Sequence, residues 1–410
     1  MAYIERHVES TIERFNKSFA AVLITGPRQA GKSTILKKFC KGKTKYVNLD
    51  NRIDLSFAKE SPELFFKQYN PPVMLDEVQY APELFHEIKN IIDADKSAGM
   101  FYMTGSQAFS LMANVSESLA GRVGIINMLG LSFRELSGDT FCKPFLPTSD
   151  FLSNRKPREN GFDEYANVWN IIVRGTLPEL HEKPDVLSED YYSSYVATYI
   201  ERDVRTLINV TDELDFMKFL TVEAAQTGNL LNYDSIAKDV GISQQTVKRW
   251  MSVLQASGIV YLLQPYHNNI ISRAVKTPKL YFLDTGLVCY LTKWQTPEQA
   301  ATGAMSGALF ETFVVGEIIK SYINSGTIHP PIYFYRDKEQ NEIDLIIQAD
   351  GYLYPIEIKK TGKLDKSQIK AFTKLDGLTT AARGEGVVIT ITDQIRYIDA
   401  DNRLIPLRFI

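Results

Sequence analysis

Hydrophobic and polar positions follow three successive patterns along the chain, and the first pattern extends to about residue 140. Here short apolar runs bounded by turn-forming residues alternate with stretches of helical period. The runs, which predict buried strands, are 20–25, 45–49, 73–76, 100–104 and 124–128. A helical stretch follows each of the first four runs. This alternation predicts the α/β class, with a parallel sheet covered by helices on both faces.

The pattern changes twice beyond this segment. Residues 141–165 are rich in proline, serine, asparagine and charge, which predicts a linker or an exposed insertion. Residues 166–285 are mostly helical, and residues 300–410 return to mixed helix and strand. A chain of 410 residues is long enough for two or three domains. We therefore expect an α/β domain at 1–140, a helical region, and a second α/β domain.

A phosphate-binding motif follows the first predicted strand. Residues 26–33 read GPRQAGKS and match GxxxxGK[ST], between the apolar run 21–25 and the helical stretch 34–39. In this context the glycines let backbone N–H groups surround phosphates, Lys32 reaches the β and γ phosphates, and Ser33 ligates Mg²⁺. The motif predicts a P-loop NTPase. The candidate nucleotide-binding residues are Gly26, Pro27, Arg28, Gln29, Ala30, Gly31, Lys32, Ser33 and Thr34.

Polar residues at the ends of two later strands complete the predicted phosphate site. Asp76 ends the run 73–76 and is expected to hold Mg²⁺ through water, and Glu77 is expected to polarise the attacking water. The alternative is that this pair only caps the following turn. Thr104 or Ser106, after the next strand, is a candidate for sensing the γ-phosphate or positioning the water. The alternative is that this turn serves only to start a helix.

These motifs resemble those of the AAA+ superfamily, in particular prokaryotic ATPases of the AAA_14 type that carry a C-terminal DUF4143 region. The resemblance covers nearly the whole chain and implies that the nucleotide is ATP. The residues that carry it are 24–34 (ITGPRQAGKST), 75–79 (LDEVQ), 104–106 (TGS), 119–122 (LAGR), 131–133 (LSF), 175–178 (GTLP), 199–204 (YIERDV) and 281–286 (YFLDTG).

The resemblance also implies an arginine that stabilises the transition state of ATP hydrolysis, supplied by the same chain or by a neighbouring subunit. Arg122 is the first candidate, and Arg202 and Arg205 are the next. The alternative for Arg122 is a surface or salt-bridged arginine. If a neighbouring subunit supplies this arginine, the chain is expected to form a homo-oligomer.

A winged helix-turn-helix is expected within about 215–285. Residues 233–240 and 244–254 predict two helices around a glycine turn, and residues 258–263 and 279–283 predict the two strands of a wing, with 267–269 in its loop. The side chains expected to face outward on the second helix are Gln244, Gln245, Lys248 and Arg249.

The charge of this segment suits a nucleic acid. Between Val240 and Leu283 there is no acidic residue, and the basic residues there are Lys248, Arg249, Arg273, Lys276 and Lys279. Their field favours phosphates, so DNA is a predicted partner. The alternatives are a structural lid on the ATPase domain or a protein-binding module.

The last segment contains a possible metal-dependent nuclease site. Glu311 lies in a helical stretch, Asp344 lies in a predicted strand, and Glu357 and Lys359 are two apart in the next strand, after a turn at 350–351. Converging carboxylates can hold Mg²⁺ at a phosphodiester, and Lys359 can orient or deprotonate water. This pattern resembles the PD-(D/E)xK restriction-endonuclease-like fold, although Ile343 stands where that pattern has proline. The alternative is a relative of that fold without catalysis.

Composition narrows the setting. The net charge of −3 excludes polyelectrolyte binding by bulk charge, so any contact with DNA needs a local patch. Three widely spaced cysteines exclude a disulfide framework and fit a reducing cytoplasm. The five histidines have no ligand spacing. Neither a signal peptide nor a membrane-spanning stretch is expected, because no apolar run is long enough.

The sequence thus predicts an ATP-binding, Mg²⁺-dependent ATPase whose nucleotide state controls a winged helix and a nuclease-like domain that act on DNA. The alternative is a nucleotide-controlled switch whose C-terminal domains cut nothing and bind a protein partner.

Overall fold

The computed structural model describes residues 3–42, 44–105, 118–156, 165–200, 213–267, 277–362, 365–378 and 381–410. Of residues 199 and 200 only the backbone is described. No helix among these residues is both long enough and apolar enough to span a membrane.

The first domain is built on a parallel sheet. Its strands are β1 (Ala21–Thr25), β2 (Lys45–Asn48), β3 (Val73–Asp76), β4 (Phe101–Thr104) and β5 (Val123–Asn127). They lie in the order β2-β3-β4-β1-β5, and every neighbouring pair is parallel. Each strand begins within one residue of its predicted position, so the predicted parallel sheet is confirmed.

Helices cover both faces of this sheet. They are α1 (Val8–Ser18), α2 (Lys32–Cys40), α3 (Arg52–Glu60), α4 (Pro62–Gln68) and α5 (Leu84–Ala94). The alternate side chains of β1 enter two separate cores, because successive residues of a strand point to opposite faces. Ala21 and Leu23 pack in one core with α4 and α5, whereas Val22 and Ile24 pack in the other with α1 and α2.

The segment after the first domain is not an exposed linker as far as the structure describes it. It contains α6 (Phe133–Leu136) and α7 (Ser149–Asn154). Phe145 is fully buried, and its N–H donates to Ser321 Oγ at 3.0 Å. The prediction for 141–165 is therefore wrong for 141–156, because apolar side chains within this polar stretch pack on the C-terminal domain. Residues 157–164 lie outside the described part.

The middle region is helical, as predicted. Its helices are α8 (Tyr165–Arg174), α9 (Pro178–Glu182), α10 (Ser188–Tyr195), α11 (Glu213–Ala225), α12 (Tyr233–Val240) and α13 (Gln244–Ala256). A π-helical turn, Val196–Ile200, follows α10. Gly241 ends α12 in the left-handed conformation, and Ser243 caps α13 by accepting from the N–H of Thr246 at 3.1 Å. These are the two helices and the glycine turn expected from the sequence.

An antiparallel pair follows these helices at the place predicted for the wing. Its strands are β6 (Val260–Leu263) and β7 (Lys279–Phe282). The predicted loop residues 268 and 269 lie outside the described residues. Two helices, α14 (Thr285–Thr292) and α15 (Pro297–Thr302), then pack against α8.

The C-terminal domain combines one long helix with a mixed sheet. The helix is α16 (Ser306–Asn324). The strands are β8 (Ile332–Arg336), β9 (Glu342–Ala349), β10 (Tyr352–Ile358), β11 (Ala382–Arg383), β12 (Gly386–Thr390), β13 (Arg396–Tyr397) and β14 (Asn402–Pro406), with 3₁₀ turns at Lys366–Leu375 and Leu407–Phe409. The order is β13-β14-β12-β10-β9-β8, with β11 beside β10. This is the predicted α/β tail.

The middle region and the C-terminal domain share one hydrophobic core. Buried side chains form a single cluster that extends from Leu129 to Ile410. Helix α16 lies at its centre and contacts the first sheet, the helical region and the second sheet. The three sequence segments are therefore not three separately packed bodies.

A buried ion pair on α16 attaches the first domain to this core. Lys320 Nζ lies 2.8 Å from Glu317 Oε1 and donates to the carbonyl of Leu131 at 3.0 Å. Glu317 Oε2 accepts from the N–H of Phe133 at 2.6 Å. The 131–133 motif is thus a docking segment for the C-terminal domain.

Candidate functional site

The phosphate loop has the backbone that its glycines allow. Gly26 and Gly31 have φ values of +136° and +94°, in the region that favours glycine. A Cβ on Gly26 would lie 2.1 Å from the carbonyl oxygen of Met128, which follows β5. Gly31 precedes α2, so the amino end of a nine-residue helix faces the loop. The loop therefore presents the backbone that a phosphate group requires.

Lys32 is buried inside this loop. Its ammonium donates to the carbonyls of Gly26 at 3.0 Å and Pro27 at 2.7 Å. These neutral acceptors are poorer partners for a cation than phosphate oxygens, because charge-assisted hydrogen bonds are the stronger ones. The ammonium of Lys32 is thus held at the loop, where it can donate to the oxygens of a bound phosphate.

Asp76 is the centre of a hydroxyl network at the carboxyl end of the sheet. Ser33 Oγ donates to Asp76 Oδ1 at 2.7 Å, and Tyr46 on β2 donates to Asp76 Oδ2 at 2.8 Å. Thr104 Oγ1 also donates to Oδ1. The two residues predicted to hold Mg²⁺, Ser33 and Asp76, are therefore in direct contact. Tyr46 belongs to no motif, so sequence reasoning does not identify it. Burial and its hydrogen bond to Asp76 raise the pKa of Tyr46.

Glu77 turns away from the strand into the cleft. Its φ and ψ of 58° and 45° are left-handed, an uncommon conformation for a non-glycine residue. This turn brings Glu77 into the lining of the cleft beside the loop, where Gln79 Nε2 donates to its Oε2 at 2.5 Å. Its position suits the predicted role as a base, and a simple helix cap is excluded because no cap bond forms from its side chain.

Thr104 is bonded to the acidic pair, and its role toward the γ-phosphate or the water stays a prediction. It is fully buried, its hydroxyl donates to Asp76, and it accepts from the N–H of Glu77 at 3.2 Å. Both bonding directions of the hydroxyl are therefore used to hold the acidic pair, and Thr104 is a positioning residue. Ser106, the other candidate, lies outside the described residues.

A cleft of about 420 Å³ lies above the loop. Its walls come from the loop, the chain start and α9 of the middle region, and its lining includes Tyr3, Ile4, Arg6, Arg28, Gln29, Lys32, Ser33, Thr34, Glu77, Met128, Pro178, Glu179 and Lys183. Cationic and apolar side chains together suit a nucleoside with phosphates. Sequence reasoning did not identify the contribution of the chain start or of α9, because neither carries a motif.

Arg6 binds a backbone carbonyl of the loop and also lines the cleft. Its guanidinium donates to the carbonyls of Ala30 at 2.9 Å and Leu129 at 2.8 Å, and lies 3.2 Å from Glu135 Oε1. Burial opposes the charge of Glu135, but Arg6 and His7 hold the pKa of that carboxyl below its usual range. Besides Arg28 of the loop itself, the arginine that contacts the loop is thus Arg6 and not Arg122.

Arg122 is at the wrong end of the sheet to contact a phosphate of its own chain. It precedes β5, which is parallel to β1, whereas the loop follows β1. Five strand residues, about 16 Å, separate the two ends. Arg122 instead pairs with Asp93 at 2.6 Å on the surface. The role within the same chain is wrong, the role toward a neighbouring subunit stays a prediction, and Arg202 and Arg205 lie outside the described residues.

The middle region touches the phosphate loop directly. Gly258, just before β6, packs on the loop so closely that a Cβ there would lie 2.9 Å from Cδ of Pro27. Tyr191 of α10 donates a hydrogen bond to the side chain of Gln29. Gln29 itself has a left-handed backbone, with φ of 61°. Two loop residues therefore contact the region that contains α13 and β7.

Asp284 connects two of the sequence motifs. It accepts from the N–H of Thr176 at 2.7 Å, from its hydroxyl at 2.8 Å and from Tyr192 at 2.6 Å. It also caps α14 by accepting from Leu287 N at 2.9 Å. The GTLP and YFLDTG motifs are thus parts of one hydrogen-bonded turn beside the loop.

The second helix of the predicted winged helix presents the expected face. Gln244, Gln245, Lys248 and Arg249 on α13 are all exposed. The predicted basic patch is smaller than expected, because Lys279 is only 3% exposed and is paired with acids. Arg273 and Lys276 lie outside the described residues. Only Lys248 and Arg249 of the five counted cations are described as exposed.

The acidic residues of the tail do converge. The turn at Asp350 and Gly351, both with positive φ, pairs β9 with β10, and Asp344 Oδ2 accepts from the N–H of Ile358 at 2.8 Å. Lys359 Nζ lies 2.5 Å from Glu357 Oε1 and 3.7 Å from Asp344 Oδ2.

Glu311 joins these carboxylates from α16. Burial and the charge of Asp344 raise the pKa of Glu311, and the same two causes raise that of Glu357 to about 8. Even so, no three acidic, histidine or cysteine side chains among the described residues form a group that could hold a metal ion. The predicted ligands Asp344 and Glu357 meet around the ammonium of Lys359.

Two side chains of β7 reach into this cluster. Lys279 Nζ lies 2.5 Å from Glu342 Oε1 and 3.3 Å from Glu311 Oε1. Tyr281 donates to Glu311 Oε1 at 2.6 Å. Burial alone would lower the pKa of Lys279, but the surrounding carboxylates raise it. We call Glu311, Glu342, Asp344, Glu357, Lys279 and Lys359 the acidic cluster.

The sheet, the phosphate loop and the acidic pair define a P-loop ATPase. In agreement, residues 18–137 match the family model of an AAA domain. Residues 165–298 and 306–410 match two domains of unknown function, DUF8612 and DUF4143. The chain thus carries an AAA domain of the P-loop ATPase type, and a DUF4143 domain follows it.

Two relatives with similar sequences are uncharacterized proteins. An uncharacterized protein of Mycobacterium tuberculosis is 27% identical over 343 residues, which cover 83% of this chain and 70% of the relative. An uncharacterized protein of Methanocaldococcus jannaschii is 24% identical over 339 residues, 76% of this chain and 70% of the relative. Among solved structures, a Walker-type ATPase of Pyrococcus abyssi matches 70% of this chain and 96% of its own, with 13% identity and a TM-score of 0.44.

Proposed function

We propose that this chain is a nucleotide-controlled switch that binds ATP with Mg²⁺ in the cleft, hydrolyses it, and passes the nucleotide state to its middle and C-terminal regions. The loop 26–34 would surround the phosphates, with Lys32 on the β and γ groups. Ser33 and Asp76 would hold Mg²⁺, which when bound neutralises charge on the phosphates.

Glu77 is the base in this proposal. It would take a proton from water as the water oxygen bonds to the γ-phosphorus and the bond to the β-phosphate oxygen breaks, which yields ADP and phosphate. Gln79 orients the Glu77 carboxylate through its hydrogen bond. Thr104 fixes the positions of Asp76 and Glu77 through its two hydrogen bonds.

The contact between the phosphate loop and the middle region is the observation that carries the switch. Pro27 packs on Gly258, and Gln29 accepts from Tyr191. Any change of loop conformation on nucleotide binding therefore displaces atoms of the region that contains α13 and β7. A loop serving catalysis alone would not need both contacts.

Hydrogen exchange with and without ATP tests this proposal. We expect ATP to change exchange of the amides in 244–263 in the wild-type chain and to leave them unchanged in Lys32→Ala. Unchanged exchange in both, with ATP bound to the wild type, would show an ATPase whose nucleotide state stays local.

Two glycines provide a matched pair of variants for the same test. Gly258 and Gly241 both have positive φ, but a Cβ on Gly241 has no atom within 4 Å. Both alanine substitutions carry similar backbone strain, about 1 kcal/mol. We expect only Gly258→Ala to alter ATP affinity, by several-fold. Equal effects of the two would place the cause in strain and not in the loop contact.

A second candidate function, action on DNA, is favoured by the exposed face of α13. Lys248 and Arg249 can contact phosphates, while Gln244 and Gln245 can contact base edges. Binding should weaken with salt by about 0.9 log units per phosphate neutralised. Lys248→Glu with Arg249→Glu should remove most binding, whereas the charge-matched control Lys59→Glu with Lys67→Glu, on exposed helices of the ATPase domain, should not.

Cleavage of DNA by Glu311, Asp344, Glu357 and Lys359 is the most specific form of this second candidate. Its test is Mg²⁺- or Mn²⁺-dependent nicking by the wild-type chain against Lys359→Ala. Nicking lost in Lys359→Ala would support a nuclease, and equal nicking by both would assign it to a contaminant.

A further inference from the structure

The acidic cluster already contains a cation from another region of the same chain. Lys279 belongs to β7, beside the helix-turn-helix, yet its ammonium lies between Glu342 on β9 and Glu311 on α16. Lys279 is almost wholly buried, so this contact is a buried ion pair and not a solvent-exposed one. Tyr281, two residues along and on the same face of β7, adds a hydrogen bond to Glu311.

The charges show what this lysine does. Four carboxylates, Glu311, Glu342, Asp344 and Glu357, face two ammonium groups, and Arg336 lies 3.4 Å from Glu342. Lys359 serves Glu357 and Asp344 at one end of the cluster. Lys279 serves Glu311 and Glu342 at the other end. Lys279 is in direct contact with Glu311, whereas Lys359 interacts with Glu311 at longer range.

One atom of the cluster remains unsatisfied. Glu357 Oε2 is buried and has no hydrogen-bond partner within the described part of the chain. A carboxylate oxygen buried without a partner is costly, and a hard divalent cation is a ligand that such an oxygen prefers. The cluster thus has donor atoms for a metal ion, but a lysine holds one of them.

We propose that Lys279 is an internal counter-ion that competes with a divalent cation for Glu311, so that the C-terminal site takes a metal only when β7 withdraws. A lysine ammonium and a metal ion cannot share Glu311 at close range, because their like charges repel. With Lys279 in place the site is closed to metal, and with Lys279 removed the carboxylates lose a charge that a metal ion can replace.

The same strand leads to the ATP site. Five residues after Lys279, Asp284 forms the turn with Thr176 and Tyr192, and the N–H of Leu283 donates to the carbonyl of Ile259, next to Gly258. A shift of Gly258 by the phosphate loop therefore acts on the strand that carries Lys279. This link to nucleotide rests on the switch proposed above, whereas the competition between Lys279 and metal does not.

Binding of Mn²⁺ alone, measured by electron paramagnetic resonance on the full chain without nucleotide, tests the competition. Lys279→Met keeps the length of the side chain and removes its charge. We expect this variant to bind one more Mn²⁺ than the wild type, with an affinity at least about tenfold higher than any wild-type binding at the cluster. The extra ion should disappear in Lys279→Met with Asp344→Asn. The control Lys238→Met, on exposed α12, should match the wild type.

Loss of Lys279 leaves carboxylates uncompensated, so a variant with balanced charge protects the test against misfolding. Lys279→Gln with Glu342→Gln removes one positive and one negative charge together, and it too should gain the Mn²⁺ site. Equal Mn²⁺ binding by the wild type, Lys279→Met and this double variant would overturn the proposal.

Addition of ATP with Mn²⁺ to the wild type tests the link separately. A second Mn²⁺ that depends on Asp344, beyond the ion bound with the nucleotide, would support withdrawal of β7. If the Lys279 variants gain the site and ATP does not open it in the wild type, the competition stands and control by nucleotide is refuted. If ATP does not bind at all, the proposed ATPase fails while the Lys279 result remains valid.

Discussion

Asp76 in the ATPase domain and Glu311 in the C-terminal domain are both acids at positions where the sequence predicts a metal-dependent reaction, and the chain surrounds them differently. Asp76 is contacted by three hydroxyl groups, from Ser33, Tyr46 and Thr104. Glu311 is contacted by the ammonium of Lys279 and the hydroxyl of Tyr281. Hydroxyl groups orient a carboxylate and leave its charge in place, whereas an ammonium cancels that charge.

The difference teaches how to distinguish a prepared site from a neutralised one. At the phosphate loop, Lys32 donates to two backbone carbonyls, and Asp76 accepts from neutral hydroxyls, so the charge of Asp76 remains available to Mg²⁺. In the acidic cluster, carboxylates are already paired with the ammonium groups of Lys279 and Lys359. Converging carboxylates that are paired with cations are therefore weaker evidence for catalysis than a carboxylate whose charge is not neutralised.

The largest effect is expected at Lys32. Lys32→Ala removes the point charge that reaches the β and γ phosphates, so ATP affinity should fall by at least about 100-fold. Calorimetry of ATP binding measures this, with Lys41→Ala on the nearby surface as the control. Unchanged affinity would mean that the charge in the loop is not available to the nucleotide, and the contrast with the acidic cluster would fail.

Glu77→Gln should separate binding from chemistry in the same cleft. The amide keeps the size of the side chain but cannot accept the proton, so turnover should fall about 100-fold while ATP still binds. Steady-state phosphate release and ATP calorimetry together measure the two effects, with the exposed Glu83→Gln as control. Wild-type turnover would move the base elsewhere.

Glu223 tests the cost of a buried acid that has neither hydroxyls nor a lysine. It is fully buried on α11, neither of its carboxylate oxygens has a hydrogen-bond partner within the described residues, and burial raises its pKa to about 8. Below about pH 4.5 the folded and unfolded states both keep the proton. As the pH rises from there to about 8, only the unfolded state loses it, so folding stability falls over this window.

Glu223→Gln should remove this loss. The variant should be more stable than the wild type by a few kcal/mol above about pH 8, and the difference should shrink toward pH 4.5. Urea unfolding at several pH values measures it, with exposed Glu5→Gln as the control. A difference that does not change with pH would mean that Glu223 is ionised and compensated in the folded chain.

The smallest effect is expected at Arg122. Because it lies at the far end of β5 and pairs with Asp93, Arg122→Ala should leave the turnover of the dilute, monomeric chain within about twofold of wild type. A loss of about 1,000-fold that Lys32→Ala subunits restore on mixing would instead identify Arg122 as an arginine supplied by a neighbour.

Local sequence patterns predict the helices and strands well, but they do not predict contacts between residues that are far apart in sequence. The strands of the first sheet, the loop 26–33 and the helices on either side of Gly241 follow from periodicity and turn chemistry, which are local properties. The contact of Lys279 with Glu342 joins residues that are far apart in sequence, so no spacing rule reveals it. The sequence predicts that the positive charge of Lys279 contacts DNA, because a sequence does not show that the side chain is buried.

Two further errors have the same physical origin. Residues 141–156 look like a linker by composition, yet Phe145 and Phe151 are buried against the C-terminal domain. Residue type alone makes Arg122 a candidate, and only the direction of β5 shows that it lies at the end of the sheet away from the phosphate loop. Arg6, which does support the loop, stands before any motif. Residue type predicts chemistry, but the path of the chain decides which residues meet.

The core that extends from Leu129 to Ile410 makes the boundary near residue 300 a boundary of sequence patterns and not of mechanics. Helix α16 packs its side chains on both neighbours at once, so a fragment that ends before it would expose apolar surface on α8 and α14. Replacement of the whole C-terminal domain during evolution is thereby restricted, because a new domain must pack on the existing core residues of the middle region. The region acts as one cooperative unit, in which a substitution on one side of the boundary alters what the other side tolerates.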